Sequence, residues 1–86
     1  MRTVIVAVRD SAMAGFAAPM AFPTTAVAHR SFVQQVNSND PNSQLCKTPE
    51  DYELYYLADF DDESGSFVLP DGGPRVLARG KDVKAE

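Results

Sequence analysis

The side chains best suited to bind a metal ion lie in one acidic loop near residue 60. Hard cations such as Ca²⁺ require several carboxylate and carbonyl oxygens at one point. Asp59, Asp61 and Glu63 could fill the first, third and fifth positions of a calcium-binding loop. That template then requires a glycine and a distal bidentate glutamate, where this chain has Ser64 and Pro70. The sequence therefore predicts a solvated hairpin loop here, and no metal site.

Nucleophilic catalysis would depend on the single histidine, His29, or the single cysteine, Cys46. A serine or cysteine hydrolase places its base beside its nucleophile. His29 falls within a predicted helix, and the sequence places no nucleophile beside it. The pair Gly72-Gly73 is not followed by the Lys-Ser/Thr of a phosphate-binding loop. We therefore predict that the protein is not an enzyme and needs no cofactor, and that Cys46 is a partly buried apolar residue.

Aromatic side chains provide a candidate binding surface. The tyrosines Tyr52, Tyr55 and Tyr56 belong to one predicted strand, and Phe60 and Phe67 lie on the two arms of the same hairpin. Aromatic side chains on a sheet bind single-stranded nucleic acid by stacking, with about 1–3 kcal/mol per base. Strict alternation would place Tyr55 opposite to Tyr52, Tyr56 and Phe60, so that one group packs in the core and the other is exposed. The alternative is that all of them only pack the sheet.

The charge is unevenly distributed along the chain. The net charge is −4, and an acidic body repels phosphate at long range. A basic tail near the C-terminus could still act locally, within a Debye length of about 10 Å. The acidic cluster consists of Glu50, Asp51, Glu53, Asp59, Asp61, Asp62 and Glu63. The candidate nucleic-acid-binding residues are Arg75, Arg79, Lys81 and Lys84 of the tail, with Tyr55 and Tyr56.

The first half of the chain predicts two extended segments and a helix. Residues 3–9 alternate as a strand, and residues 16–22 recur with period two as an edge strand, because Pro19 cannot donate to a ladder. Thr24 or Thr25 can cap a helix that continues to about Asn37. Its apolar side recurs every fourth residue, at Ala28, Phe32 and Val36.

The second half predicts a hairpin. A short turn after Thr48 precedes a strand over residues 52–60. Residues 66–69 form the second strand of the hairpin, and residues 75–78 could add a short third strand. The order is β-β-α-β-β. We therefore predict an α+β fold, with a small antiparallel sheet of about four strands and one amphipathic helix packed on one face. Residues 1–74 form the single predicted domain, and residues 75–86 a basic C-terminal tail that is frayed from residue 80.

A chain of 86 residues is long enough for one small domain. The apolar run at residues 4–8 is too short to cross a membrane, so no membrane partner is expected. Because so small a domain buries limited surface, assembly into a homodimer would add stability.

Several short motifs together resemble a known family. They include Asp10-Ser11, Pro19 before Phe22-Pro23-Thr24, His29-Arg30-Ser31-Phe32, Asn39-Asp40-Pro41-Asn42-Ser43, Pro49-Glu50-Asp51-Tyr52-Glu53-Leu54, and Phe60-Asp61-Asp62 with Phe67. Over residues 3–70 the chain resembles the small nonstructural protein of gokushovirus-type microviruses, which are single-stranded DNA phages. The resemblance implies a viral DNA-binding protein that acts in the cytoplasm of the bacterial host. The chain departs from the common pattern of the family at His29 and in the basic tail. The resemblance does not identify any binding residue.

Two functions from different classes follow. The first is a non-enzymatic phage protein that binds single-stranded DNA during viral DNA synthesis or packaging. The second is a protein-interaction or regulatory module that acts on phage replication or assembly proteins without contacting nucleic acid. In that case an open sheet edge could join two copies.

Overall fold

The computed structural model describes residues 2–85, and two long antiparallel strands form its centre. Strand β1 spans Arg2–Asp10 and strand β4 spans Tyr52–Asp61. The two strands pair along their whole length, from Arg2 opposite Asp61 to Asp10 opposite Tyr52. Their β-branched and aromatic residues favour this extended pairing.

Each edge of this central pair carries two short strands. Strands β2 (Gly15–Phe16) and β3 (Met20–Phe22) both pair with β1. Pro19 lies between them and has no N–H, so it interrupts the predicted edge strand. Strands β5 (Ser66–Val68) and β6 (Arg75–Arg79) both pair with β4. The sheet therefore has six strands but is four strands wide, which refines the predicted count of about four.

Helix α1 spans Thr25–Val36 and covers one face of the sheet. The Thr24 hydroxyl accepts a hydrogen bond of 3.2 Å from the Val27 N–H, so it caps the helix as predicted. The predicted apolar side of the helix is buried at Ala28, Phe32 and Val36. These side chains pack in one core with Val6, Val8, Leu54 and Ala78 of the sheet.

The segment between α1 and β4 contains a short helix where the sequence pattern predicted only a loop. Helix α2 spans Gln44–Lys47, and its first turn is capped by the Ser43 hydroxyl. A 3-10 turn at Pro49–Asp51 follows, in the place where a short turn was predicted. The half-buried Leu45 of α2 packs against the core.

The C-terminal residues are folded rather than frayed. Strand β6 leads directly into helix α3, Gly80–Val83, which packs against the 3-10 turn. The Asn37 side chain donates to the Val83 carbonyl at 3.0 Å and accepts from the Ala85 N–H at 2.7 Å. The prediction of a frayed end was therefore wrong up to residue 85, because helix ends supply polar groups that the last residues satisfy. Residue 86 lies outside the described residues.

Candidate nucleic-acid interface

The sheet face opposite α1 carries a row of aromatic side chains. Residues directly opposite each other on paired strands share a face, and Leu54, which is buried under α1, marks the covered side. Its neighbour Tyr55 therefore lies on the other side, which we call the open face. The aromatic residues of the open face are Phe16, Tyr55, Phe60 and Phe67, from β2, β4 and β5.

These aromatic rings contact each other in two pairs. The rings of Phe16 and Tyr55 meet edge to face, with centroids 5.3 Å apart. The rings of Phe60 and Phe67 are 5.2 Å apart and tilted by 50°. Such pairs are favourable beyond their burial. Phe16 and Phe67 nevertheless remain 48% and 62% exposed, so both pairs present ring surface to solvent.

A β-bulge places Phe60 on the open face. The register of β1 against β4 shifts between Ile5 and Val6, because Leu57 is an extra residue in β4. Beyond the bulge, Ala58 and Phe60 change sides relative to strict alternation. The prediction that Phe60 shares a face with Tyr52 and Tyr56 was therefore wrong, since one inserted residue reverses the period-two pattern.

Tyr56, one of the two candidate tyrosines, lies on the covered side of the sheet. Its hydroxyl donates a hydrogen bond of 2.7 Å to the Asp59 carboxylate. This bond raises the pKa of the Tyr56 phenol, and burial and the Asp59 charge raise it further. The structure does not bring Tyr55 and Tyr56 to one surface, so only Tyr55 belongs to the open face.

The Tyr56–Asp59 bond makes a prediction about alkaline pH. The folded state raises the pKa of Tyr56 above the ordinary 10.0, so the stability from this group is complete below that value and is lost as pH rises through the folded-state pKa. In an absorbance titration of tyrosinate, the Asp59→Ala variant should ionise one tyrosine at lower pH than the wild type. In a Tyr56→Phe background the same substitution should leave the titration unchanged. A shift of equal size in both backgrounds would contradict the assignment to Tyr56.

The four candidate cations of the C-terminal segment do not form one patch. Arg79 lies on the open face, where its Nε is 3.2 Å from the Glu53 carboxylate. Arg75 is opposite Tyr56 and therefore lies on the covered side. Lys81 is exposed on α3. The Lys84 ammonium donates to the Val36 carbonyl at 3.2 Å, at the end of α1, which is a structural contact.

Two further residues of the open face were not among the predicted site residues. Arg9 of β1 is opposite both Phe16 and Glu53, so it lies in the same row of the sheet as Arg79, with Glu53 between the two arginines. The alternation of their strands indicates on which side of each strand Arg9 and Phe16 lie, but only the order of the strands places the two residues next to Tyr55.

The acidic loop is a turn that satisfies its own backbone. The Asp61 carboxylate accepts a hydrogen bond of 3.0 Å from the Glu63 N–H, and this bond lowers the pKa of Asp61. Gly65 has a φ of +72°, and its N–H donates to the Asp61 carbonyl. Within residues 2–85, no group of three or more His, Cys, Asp or Glu residues is placed to hold a metal ion.

A shallow apolar groove lies on the covered side, between the β2–β3 connection and the helices. It has a volume of about 450 Å³, and Ala17, Met20, Leu45 and Tyr52 contribute to its walls. Burial raises the pKa of the Tyr52 phenol, with a further contribution from Asp10. Among the described residues that line the groove, none has a charged side chain.

The fold and this surface define a class of protein: a small α+β domain with one face covered by helices and one face of exposed aromatic rings. Residues 3–83 match the family described as phage ORF5 protein, and the chain belongs to this family. The phage origin implied by the resemblance is thereby confirmed. Comparisons with curated proteins and with solved structures gave no match. None of the helices within residues 2–85 is long and apolar enough to cross a membrane.

Proposed function

We propose that this phage protein binds single-stranded DNA on the open face of its sheet. The observation that carries the proposal is the set of four aromatic residues on that face, two of them strongly exposed. Every base has a flat apolar surface, so exposed rings on a sheet bind single strands without strong sequence preference. The resemblance to the nonstructural protein of gokushovirus-type microviruses supports the same role. Viral DNA synthesis or packaging, in the cytoplasm of the bacterial host, is the process in which this non-enzymatic binding would act.

The electrostatics support local rather than long-range attraction. The net charge of −4 repels phosphate at a distance. On the open face, however, Arg9 and Arg79 lie on the strands that flank the Glu53–Tyr55 segment of β4. Side chains two residues apart on a strand are separated by about 7 Å. A nucleotide whose base stacks on Tyr55 can therefore place a phosphate beside these arginines.

Adjacent tyrosines on opposite faces provide a matched test of the stacking surface. Replacing Tyr55 by leucine removes a ring but keeps apolar area, and should weaken binding of a labelled oligothymidylate by about 1–3 kcal/mol, or roughly 5- to 150-fold. Tyr56→Leu makes the same chemical change on the covered side and should alter the affinity little. Fluorescence anisotropy at low salt measures both, and circular dichroism confirms that each variant is folded.

Four outcomes would contradict this function. The wild-type protein could fail to bind single strands at low salt, or bind them with an affinity that does not fall as salt is added. A duplex of the same length could also bind better than the single strand, although its stacked bases cannot reach the rings. Equal losses in the Tyr55→Leu and Tyr56→Leu variants would place binding elsewhere.

The acidic net charge favours a second candidate, a protein-interaction module that regulates phage replication or assembly. The same aromatic face, or the outer edge of β5 and β6, would then contact a phage protein or a second copy of the chain. Sedimentation at high concentration tests the homodimer. Recovery of phage replication or assembly proteins from nuclease-treated infected cells would favour this candidate, provided that the purified protein does not bind oligothymidylate.

A further inference from the structure

We propose that Glu53 competes intramolecularly with DNA phosphate for the two arginines of the open face, and so limits the affinity of the site. This inference rests on the proposed function and deepens it. It concerns one row of residues that runs across four strands of the sheet, beside the Tyr55 ring. The row consists of Phe16, Arg9, Glu53 and Arg79.

The carboxylate occupies the place between two cations. Glu53 is directly opposite Arg9 on one neighbouring strand and directly opposite Arg79 on the other. Its Oε2 atom is 3.2 Å from the Arg79 Nε, which donates a hydrogen bond to it. The Glu53 side chain is 24% exposed and the Arg79 side chain 53% exposed. Solvent, and hence a phosphate group, can therefore reach the pair.

The placement of Glu53 contrasts with that of the other strand carboxylates. Among the paired strand residues of the open face, within residues 2–85, it is the single acidic residue. Asp10 and Asp59 of the same central strands lie on the covered side. The negative charge of Glu53 thus lies between the two arginines that would bind a phosphate group. An exposed ion pair is weak in water, so a phosphate can displace the carboxylate from Arg79.

Neutralising Glu53 should therefore strengthen binding. The Glu53→Gln variant keeps the size of the side chain, breaks the ion pair with Arg79 and removes the negative charge opposite Arg9, so its affinity for labelled oligothymidylate at low salt should rise about three- to tenfold. The row would then carry two net positive charges instead of one. Since each neutralised phosphate of a single strand contributes about −0.7 to the slope of log K against log salt, the slope should steepen by about 0.7.

Two controls separate this effect from a general change in charge. Glu50→Gln removes one exposed charge from the 3-10 turn, outside the row, and should raise affinity less than twofold because Coulomb attraction falls with distance from the bound phosphate. In an Arg79→Ala background, the gain from Glu53→Gln should be clearly smaller than in the wild type, since one of the two competing partners is absent. Thermal unfolding checks that the wild type and all four variants are folded.

The outcomes distinguish the inference from the function on which it rests. If the wild type binds oligothymidylate but Glu53→Gln and Glu50→Gln give the same small gain, the competition is excluded and the proposed function stands. If Glu53→Gln binds more weakly than the wild type, Glu53 supports the site rather than opposing it, and the inference is wrong. If neither the wild type nor Glu53→Gln binds the probe at low salt, both the function and the inference are wrong.

Discussion

Replacing Phe32 by alanine should destabilise the protein by about 3–5 kcal/mol. The Phe32 side chain is only 3% exposed and packs from the middle of α1 onto the central strands. Removal of the ring would leave a cavity under a helix that has few other large side chains facing the core. Small domains have a stability of only a few kcal/mol, so a large fraction of the Phe32→Ala protein should be unfolded. Urea unfolding followed by circular dichroism measures the loss.

Phe67→Ala is the matched control for this substitution. It makes the same chemical change at a residue of β5 that is 62% exposed and whose ring pairs with Phe60 on the open face. The expected cost is about 1 kcal/mol or less. A Phe32→Ala protein with the unfolding midpoint of the wild type would show that α1 does not cover the sheet as described.

Replacing Gly80 by alanine should cost about 3 kcal/mol, at the upper end of the range for overpacked sites. A Cβ atom at this buried position would collide with the Pro49 carbonyl oxygen and lie 2.8 Å from its carbonyl carbon. The obstacle is backbone in the 3-10 turn before β4, so it cannot rotate away like a side chain. Alanine is a better helix former than glycine, so the loss would come from the collision alone. The measurement is again urea unfolding.

Gly15→Ala is the control for the glycine substitution. The nearest atom to a Cβ there is the Met13 carbonyl oxygen at 3.8 Å, an ordinary contact. The change in unfolding free energy should be under about 1 kcal/mol. If Gly80→Ala and Gly15→Ala were equally stable, the packing of α3 on the 3-10 turn would be refuted.

The burial of Phe32 could be predicted from the sequence, whereas the close contact of Gly80 could not. The burial of Phe32 follows from the spacing of Ala28, Phe32 and Val36, because helical periodicity is a local property. The constraint at Gly80 depends on a contact with Pro49, which is distant in sequence, and no local pattern predicts it. For the same reason the residues after 79 were expected to fray, whereas they cap and contact the end of α1.

Of the six predicted binding residues, the structure places two on the open face and four elsewhere. Tyr55 and Arg79 do share the open face, although the register of β4 against β6 shifts between them, where Leu77 is an extra residue in β6. Tyr56 and Arg75 lie on the other side, Lys84 contacts backbone carbonyls, and Lys81 lies apart on α3. Their nearness in sequence suggested one basic patch, and strict alternation would place Arg75 and Arg79 on the same face. The extra residue Leu77 reverses the alternation between them, so the two arginines lie on opposite faces.

By itself, the sequence determined the class of fold, the position of α1 with its buried side, the two central strands and the turn at the acidic loop. All of these were predicted from local patterns, namely helical and strand periodicity and the residue types of turns. Only the tertiary structure decided which aromatic residues share the open face. A single bulge at Leu57 moved Phe60 to that face, and strand order placed Arg9 and Phe16 beside Tyr55. The physical reason is that cross-strand neighbours and register are set by long-range packing of the whole sheet, which a local pattern of residues does not contain.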